Sequence, residues 1–200
     1  MKKLLDRIFI DGLGGMAQGL FATLIIGTII QQIGLFMGGG TGDLIYELGK
    51  IAAGLTGAGI GVGVARKLEA GHLVIVSAAV VGMIGAFAGK ILSGQVLVDG
   101  NLVLAGPGEP LGAFAAAYLA IEIGILISGK TKLDIILTPL VCIGTGSAVG
   151  LFVGPPISEF MLWLGSLINW GTEQQPFLMG IVVSVLMGRI LTLPISSAAL

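Results

Sequence analysis

The chain has 200 residues, of which 55% are hydrophobic and 10% are charged, and its mean hydropathy is +1.05. A soluble domain carries about 25% charged residues, so this composition excludes an ordinary water-soluble globule and a disordered chain. The net charge of −1 provides no attraction to polyanions, so we expect no nucleic-acid partner. The 35 glycines follow no Gly-X-Y register and are typical of closely packed membrane helices.

Six apolar runs approach or exceed the length of about 20 residues that a helix needs to cross a bilayer. They are continuous instead of alternating, which favours helices over the strands of a membrane barrel. We predict an all-α, polytopic transmembrane bundle with six or seven crossings, forming one integral membrane domain over residues 1–200. A basic interfacial lead-in occupies residues 1–12, and the transmembrane core occupies 13–200. The runs are 16–37, 44–64, 73–92, 111–127, 133–153 and 177–193, with a shorter one at 160–170.

The short run 160–170 follows Gly154-Pro155-Pro156, which predicts a turn. This run either crosses the membrane, re-enters it or lies flat in the interface. A broken or re-entrant helix is therefore part of the predicted fold, and Pro139 and Pro194 are expected to interrupt their helices. A shift of 65 residues places Gly85 on Gly150, so internal two-helix repeats are a second feature that the sequence indicates.

The basic residues indicate the orientation of the chain in the membrane. They recur at the amino terminus, after the second run and after the fourth run, which is the pattern of a multi-pass protein with a cytoplasmic amino terminus. We therefore expect an inner-membrane location with lipid as the surrounding partner. The residues that carry this pattern are Lys2, Lys3, Arg7, Arg66, Lys67, Lys130 and Lys132.

Ionisable residues at membrane depth are costly, so each is a functional candidate. Glu122 lies in the fourth apolar run, about two turns before Lys130, and either reaches the interface or has a buried role. Arg189 lies in the last run, where it either extends to the interface or pairs with an acid such as Glu122 or Glu173. Glu109 lies in a Gly/Pro-rich turn before a helix and is a further candidate for contact with a solute.

The richest polar cluster of the chain lies at 169–177. A carboxylate and amides bind sugar hydroxyls, and an indole stacks on the apolar face of a sugar ring, so this cluster suits a small polar solute. An ordinary capped loop with an interfacial aromatic residue is the alternative. The candidate solute contacts here are Asn169, Trp170, Glu173 and Gln174.

The glycine-rich segment 57–63 follows no strand, so we interpret it as a helix-packing surface and not as a phosphate-binding loop. No HExxH, CxxC, GxSxG or Walker pattern occurs, and Cys142 is the single cysteine. We therefore expect no catalytic residues, no metal and no cofactor in this chain.

Several stretches of the chain resemble a known membrane family. They are GLFATLIIGTII (19–30), LDIILTPLV (133–141), GLFVGPPI (150–157), NWGTEQQPFLMGIVVSVLMG (169–188) and LTLPISSAA (191–199). The family is the sugar permease of the phosphotransferase system, subunit IIC type. The resemblance implies a sugar transporter that works with a separate cytoplasmic phosphocarrier subunit, IIB, which donates the phosphoryl group.

Members of this family are longer, so we expect the chain to be a truncated or naturally short form. On this reading the chain is not an enzyme by itself but the membrane part of a sugar phosphotransferase system. A channel or transporter for an ion or organic acid is the alternative, as is a non-transporting scaffold or sensor. A homo-oligomer is expected under each hypothesis, because small-residue faces support helix association.

Overall fold

The computed structural model describes residues 6–98 and 100–174, together with 180, 181 and 184. The described residues are predominantly helical, which confirms the all-α prediction. A two-stranded antiparallel hairpin connects the fourth and fifth helices. The elements are α1 (Arg7–Met37), α2 (Gly39–Gly54), α3 (Thr56–Lys67), α4 (His72–Leu92), β1 (Leu97–Val98), β2 (Asn101–Leu102), α5 (Pro110–Ile127) and α6 (Asp134–Gln174).

Four helical segments of the described chain are long and apolar enough to cross a membrane. They are α1, α4, α5 and the Asp134–Trp163 part of α6. Helices α2 and α3 meet at an angle of 50° and form either a broken span or a re-entrant loop, which makes five spans if the pair counts as one. The predicted crossing count of six or seven also rests on the run 177–193, which lies largely outside the described residues.

The predicted second span is interrupted at Leu55, between α2 and α3. The buried Thr56 hydroxyl donates a hydrogen bond to the Ala53 carbonyl at 2.6 Å, and such side-chain bonds compete with the helical ladder. The preceding Gly54 has low helix propensity. Together these residues place a break in a segment that hydropathy alone presents as continuous.

Helix α6 shows the opposite deviation from the prediction, because it continues through Pro139 and through Gly154-Pro155-Pro156. Its 41 residues correspond to about 60 Å of helix, twice the thickness of the hydrocarbon core. The φ angle of proline is compatible with a helix, and the lost N–H bonds are tolerated where neighbouring helices pack closely. The runs 133–153 and 160–170 therefore belong to one helix.

Helix α3 packs against two neighbours through two sets of glycines, which confirms the packing role predicted for 57–63. A Cβ atom on Gly57 would lie 2.6 Å from the Gly82 carbonyl oxygen of α4, and Gly61 abuts Ala78 of the same helix. The alternate glycines, Gly59 and Gly63, face α1 instead. Because glycine lacks a side chain, both neighbours approach α3 backbone to backbone.

The centre of the bundle lies where α3, α4 and α5 meet. Its largest fully buried side chains include Ile60, Val64, Val74, Phe87 and Ile121. By contrast, the Ile26–Met37 part of α1 packs mainly on α2, and this helical pair exposes most of its large apolar side chains. The pair therefore extends from the bundle as a separate apolar hairpin.

The basic stretches predicted to share one side of the membrane lie at one end of the bundle. Arg7 contacts Glu122 near the end of α5. A Cβ atom on Gly71, after α3, would lie 3.3 Å from the Ser128 hydroxyl, after α5. The last turn of α3, which carries Arg66, and the loop that carries Lys130 are therefore neighbours, and we call this end the basic end.

Glu69, in the loop after α3, has a φ of 55°, the only positive φ recorded for a non-glycine residue in the described chain. A non-glycine residue at a positive φ destabilises the folded chain by roughly 1–2 kcal/mol. Glycine removes this strain, but its greater conformational freedom in the unfolded chain offsets part of the gain in stability. We expect Glu69→Gly to stabilise the protein by about 0.5–1 kcal/mol in denaturant titration. Gly129→Ala, at a φ of 76°, should have the opposite sign, and a loss of stability in Glu69→Gly would contradict the assignment.

Candidate functional site

An ion pair joins the first turn of α1 to α5. The Arg7 Nε donates to Glu122 Oε1 at 2.6 Å, and its Nη2 donates to Oε2 at 3.3 Å. The two side chains are 40% and 33% exposed. This bidentate geometry satisfies both carboxylate oxygens, so Glu122 has a structural partner 115 positions away in the chain.

The Glu122 side chain belongs to a row of side chains along one face of α5. Phe114, Tyr118 and Glu122 follow one another at intervals of four and therefore share one face of α5. The first turns of α1, Arg7–Gly12, form a π-helix against this face, where a Cβ atom on Gly12 would lie 3.2 Å from the Phe114 ring. This helix begins before residue 13 and is continuous with the first span, so residues 7–12 of the lead-in pack against α5.

A cleft of about 730 Å³ opens at the end of the bundle opposite the basic end. Its walls are the last turns of α4, the loop before α5 and the middle of α6. Most of its lining residues are apolar. The polar side chains that line it are Lys90, Ser93, Gln95, Glu109, Ser158 and Glu159.

The loop before α5 holds Glu109 at the wall of the cleft. The Glu109 N–H donates to the Ala86 carbonyl at 2.7 Å, and Gly108 adopts a φ of 72° with its Cα against Ala86. Only glycine tolerates both the positive φ and the close approach. Burial raises the pKa of the Glu109 carboxyl, and the neighbouring N–H of Leu111 offsets part of this rise.

Lys90 is the cation of the cleft, and its position is fixed by two contacts. Its Nζ donates to the Ala105 carbonyl at 3.1 Å and lies 5.4 Å from the centre of the Phe87 ring. Within the described chain, neither Glu109 nor Glu159 forms a salt bridge. Both carboxylates are therefore available to accept hydrogen bonds from a solute in the cleft.

The other predicted contacts are placed only in part. Asn169, Trp170, Glu173 and Gln174 lie on the last turns of α6, beyond the cleft along the same helix, and their side chains are outside the described residues. Arg189 also lies outside the described residues, so its pairing with an acid stays a prediction.

Three residues of these sites were absent from the predicted set. They are Arg7, which the sequence places in the lead-in, Lys90 and Glu159. Their apolar neighbours gave no local signal, because only the helix crossings bring them to Glu122 or to Glu109. The four-residue spacing of Phe114, Tyr118 and Glu122 was the one pattern from which a partner for α5 was recognisable.

Together, the long apolar helices of the described chain define a multi-pass membrane protein. The family model described as "Phosphotransferase system, EIIC" matches residues 10–200. The chain therefore belongs to the EIIC family of the phosphotransferase system, the membrane permease components of that system. No curated protein and no solved structure matches the chain.

Proposed function

We propose that the chain is the permease for a sugar or similar small polar solute, and that the solute binds in the cleft at Glu109. The observation that carries this proposal is a cleft at the end of an apolar bundle whose lining includes two carboxylates, Glu109 and Glu159. Carboxylate, amide and hydroxyl groups are the side chains that bind sugar hydroxyls, and the apolar part of the wall suits the ring face. The membership of the EIIC family supports the same solute class.

The proposed path leads from the cleft to the basic end. An excess of Lys and Arg on one side favours a cytoplasmic location for that side, so the basic end faces the cytoplasm and the cleft faces outward. The amino terminus is then cytoplasmic, and the basic end is where a phosphocarrier subunit meets the permease. Asn169, Trp170, Glu173 and Gln174 make further contacts with the solute, and the chain works as a homo-oligomer.

Glu109→Gln should weaken solute binding by about 10–100-fold, because a charge-assisted hydrogen bond contributes about 1.5–3 kcal/mol. The affinity of the unchanged protein should fall as the pH is lowered through the raised pKa of Glu109, because protonation removes the charged acceptor. The glutamine variant should lack this pH dependence.

The measurement is counterflow in membrane vesicles with a panel of radiolabelled hexoses, hexosamines and hexitols. Glu47→Gln, an exposed acid of α2 remote from the cleft, is the matched control and should leave affinity unchanged. Equal affinity of Glu109→Gln and the unchanged protein would remove Glu109 from the site. Non-saturating conductance of potassium chloride would favour the channel hypothesis.

A further inference from the structure

The β-hairpin between α4 and α5 carries three exposed leucines on one of its two faces. Leu97 pairs with Leu102, and Val98 pairs with Asn101. Side chains alternate along a strand, so Leu97 and Leu102 share a face, and Leu104 continues it because the Val103 N–H still pairs with the Val96 carbonyl at 2.8 Å. Leu97, Leu102 and Leu104 are 61%, 68% and 38% exposed, and on the other face Val96 is buried, Val103 is 43% exposed and Asn101 is exposed. We call these three side chains the leucine face.

The position of the hairpin indicates what covers the leucine face. It lies between the end of α4 at Leu92 and the start of α5 at Pro110, and both helices are candidate membrane spans. The hairpin therefore leaves the bundle at the bilayer surface. Leu92 is also exposed, so the apolar surface is continuous from α4 to the hairpin. In the sequence, residues 91–105 contain a single ionisable residue, Asp99.

We propose that the leucine face docks on the lipid of the membrane interface and anchors the rim of the cleft. Exposed leucines on a short hairpin are costly in water and favourable at the boundary between headgroups and acyl chains. The base of the hairpin is tied to the bundle by the hydrogen bond from Lys90 to Ala105. Because Gln95 and Ala105 line the cleft, lipid contact by the hairpin also holds this wall in place.

Site-directed spin labelling of the full chain tests the proposal. Cys142 is the only cysteine and is buried, so Cys142→Ala provides the background. Nitroxides are attached to Leu97→Cys, Leu102→Cys and Leu104→Cys, one at a time, in phosphatidylcholine and phosphatidylglycerol vesicles. Asn101→Cys, on the other face, is the matched control. Collision with oxygen reports lipid, and collision with a nickel chelate reports water.

At the three leucine positions we expect accessibility to oxygen to exceed accessibility to the nickel chelate, with the reverse order at residue 101. Higher nickel accessibility at the leucine positions would overturn the proposal and leave the hairpin in water. Low accessibility to both reagents would also overturn it, because the leucine face would then be covered by the cleft or by a second copy of the chain. Because three sites are labelled independently, the test remains decisive if one variant misfolds. Label accessibility does not depend on solute binding, so a failure of this proposal is distinguishable from a failure of the proposed function.

Discussion

Gly61→Ala should destabilise the bundle by about 1–3 kcal/mol, although alanine is the better helix former. An added Cβ atom at Gly61 would lie 2.6 Å from the Ala78 carbonyl carbon and still closer to its oxygen. Rigid backbone and not a movable side chain blocks the methyl group, so α3 and α4 must separate along their contact. The measurement is the free energy of unfolding in mixed micelles, followed by helical circular dichroism.

Gly144→Ala is the matched control for Gly61→Ala. Gly144 also lies inside a helix, but among the described residues nothing lies within 4 Å of a Cβ atom at this position. The substitution should therefore be neutral or stabilise the protein by up to about 1 kcal/mol, through helix propensity alone. Equal effects of the two substitutions would contradict the assignment of Gly61 to a backbone-to-backbone contact.

Removing either partner of the pair between Arg7 and Glu122 should cost more stability than a surface ion pair does. Exposed pairs contribute about 0.2–1 kcal/mol, whereas a charge left unpaired beside apolar helices carries a desolvation cost. The single variants Arg7→Ala and Glu122→Gln should each destabilise the bundle. A double-mutant cycle should give a coupling energy of more than about 1 kcal/mol, and the exchanged pair Arg7→Glu with Glu122→Arg should recover part of the loss.

The pair between Glu47 and Lys50 on α2 is the matched control for this cycle. Its atoms are 3.7 Å apart, and both side chains are well exposed, so its coupling energy should stay within about 0.5 kcal/mol. A coupling between Arg7 and Glu122 that is no larger than this would contradict the structural role of the pair. It would leave Glu122 as a residue that merely reaches the interface.

The candidate site was predictable only where local sequence carried the signal. The Gly/Pro-rich turn at 106–110 marked Glu109, because a tight turn ahead of a helix requires residues of this kind. Glu159 gave no such signal, since it enters the cleft only through the packing of α6 on α4. The same holds for Arg7, whose partner is 115 positions away. Two residues so far apart in the chain share no local periodic pattern from which their contact could be predicted.

The sequence by itself determined that the chain is an all-α membrane protein, because hydropathy, charge scarcity and glycine spacing are local properties of each segment. It also determined the close packing of 57–63. Tertiary structure decided which neighbour each glycine faces, where the second span breaks, and that α6 continues through Pro155. These features depend on whether a neighbouring helix lies close enough to compensate a lost backbone bond or to occupy the space of a missing side chain, and that proximity is set only when the whole bundle is assembled.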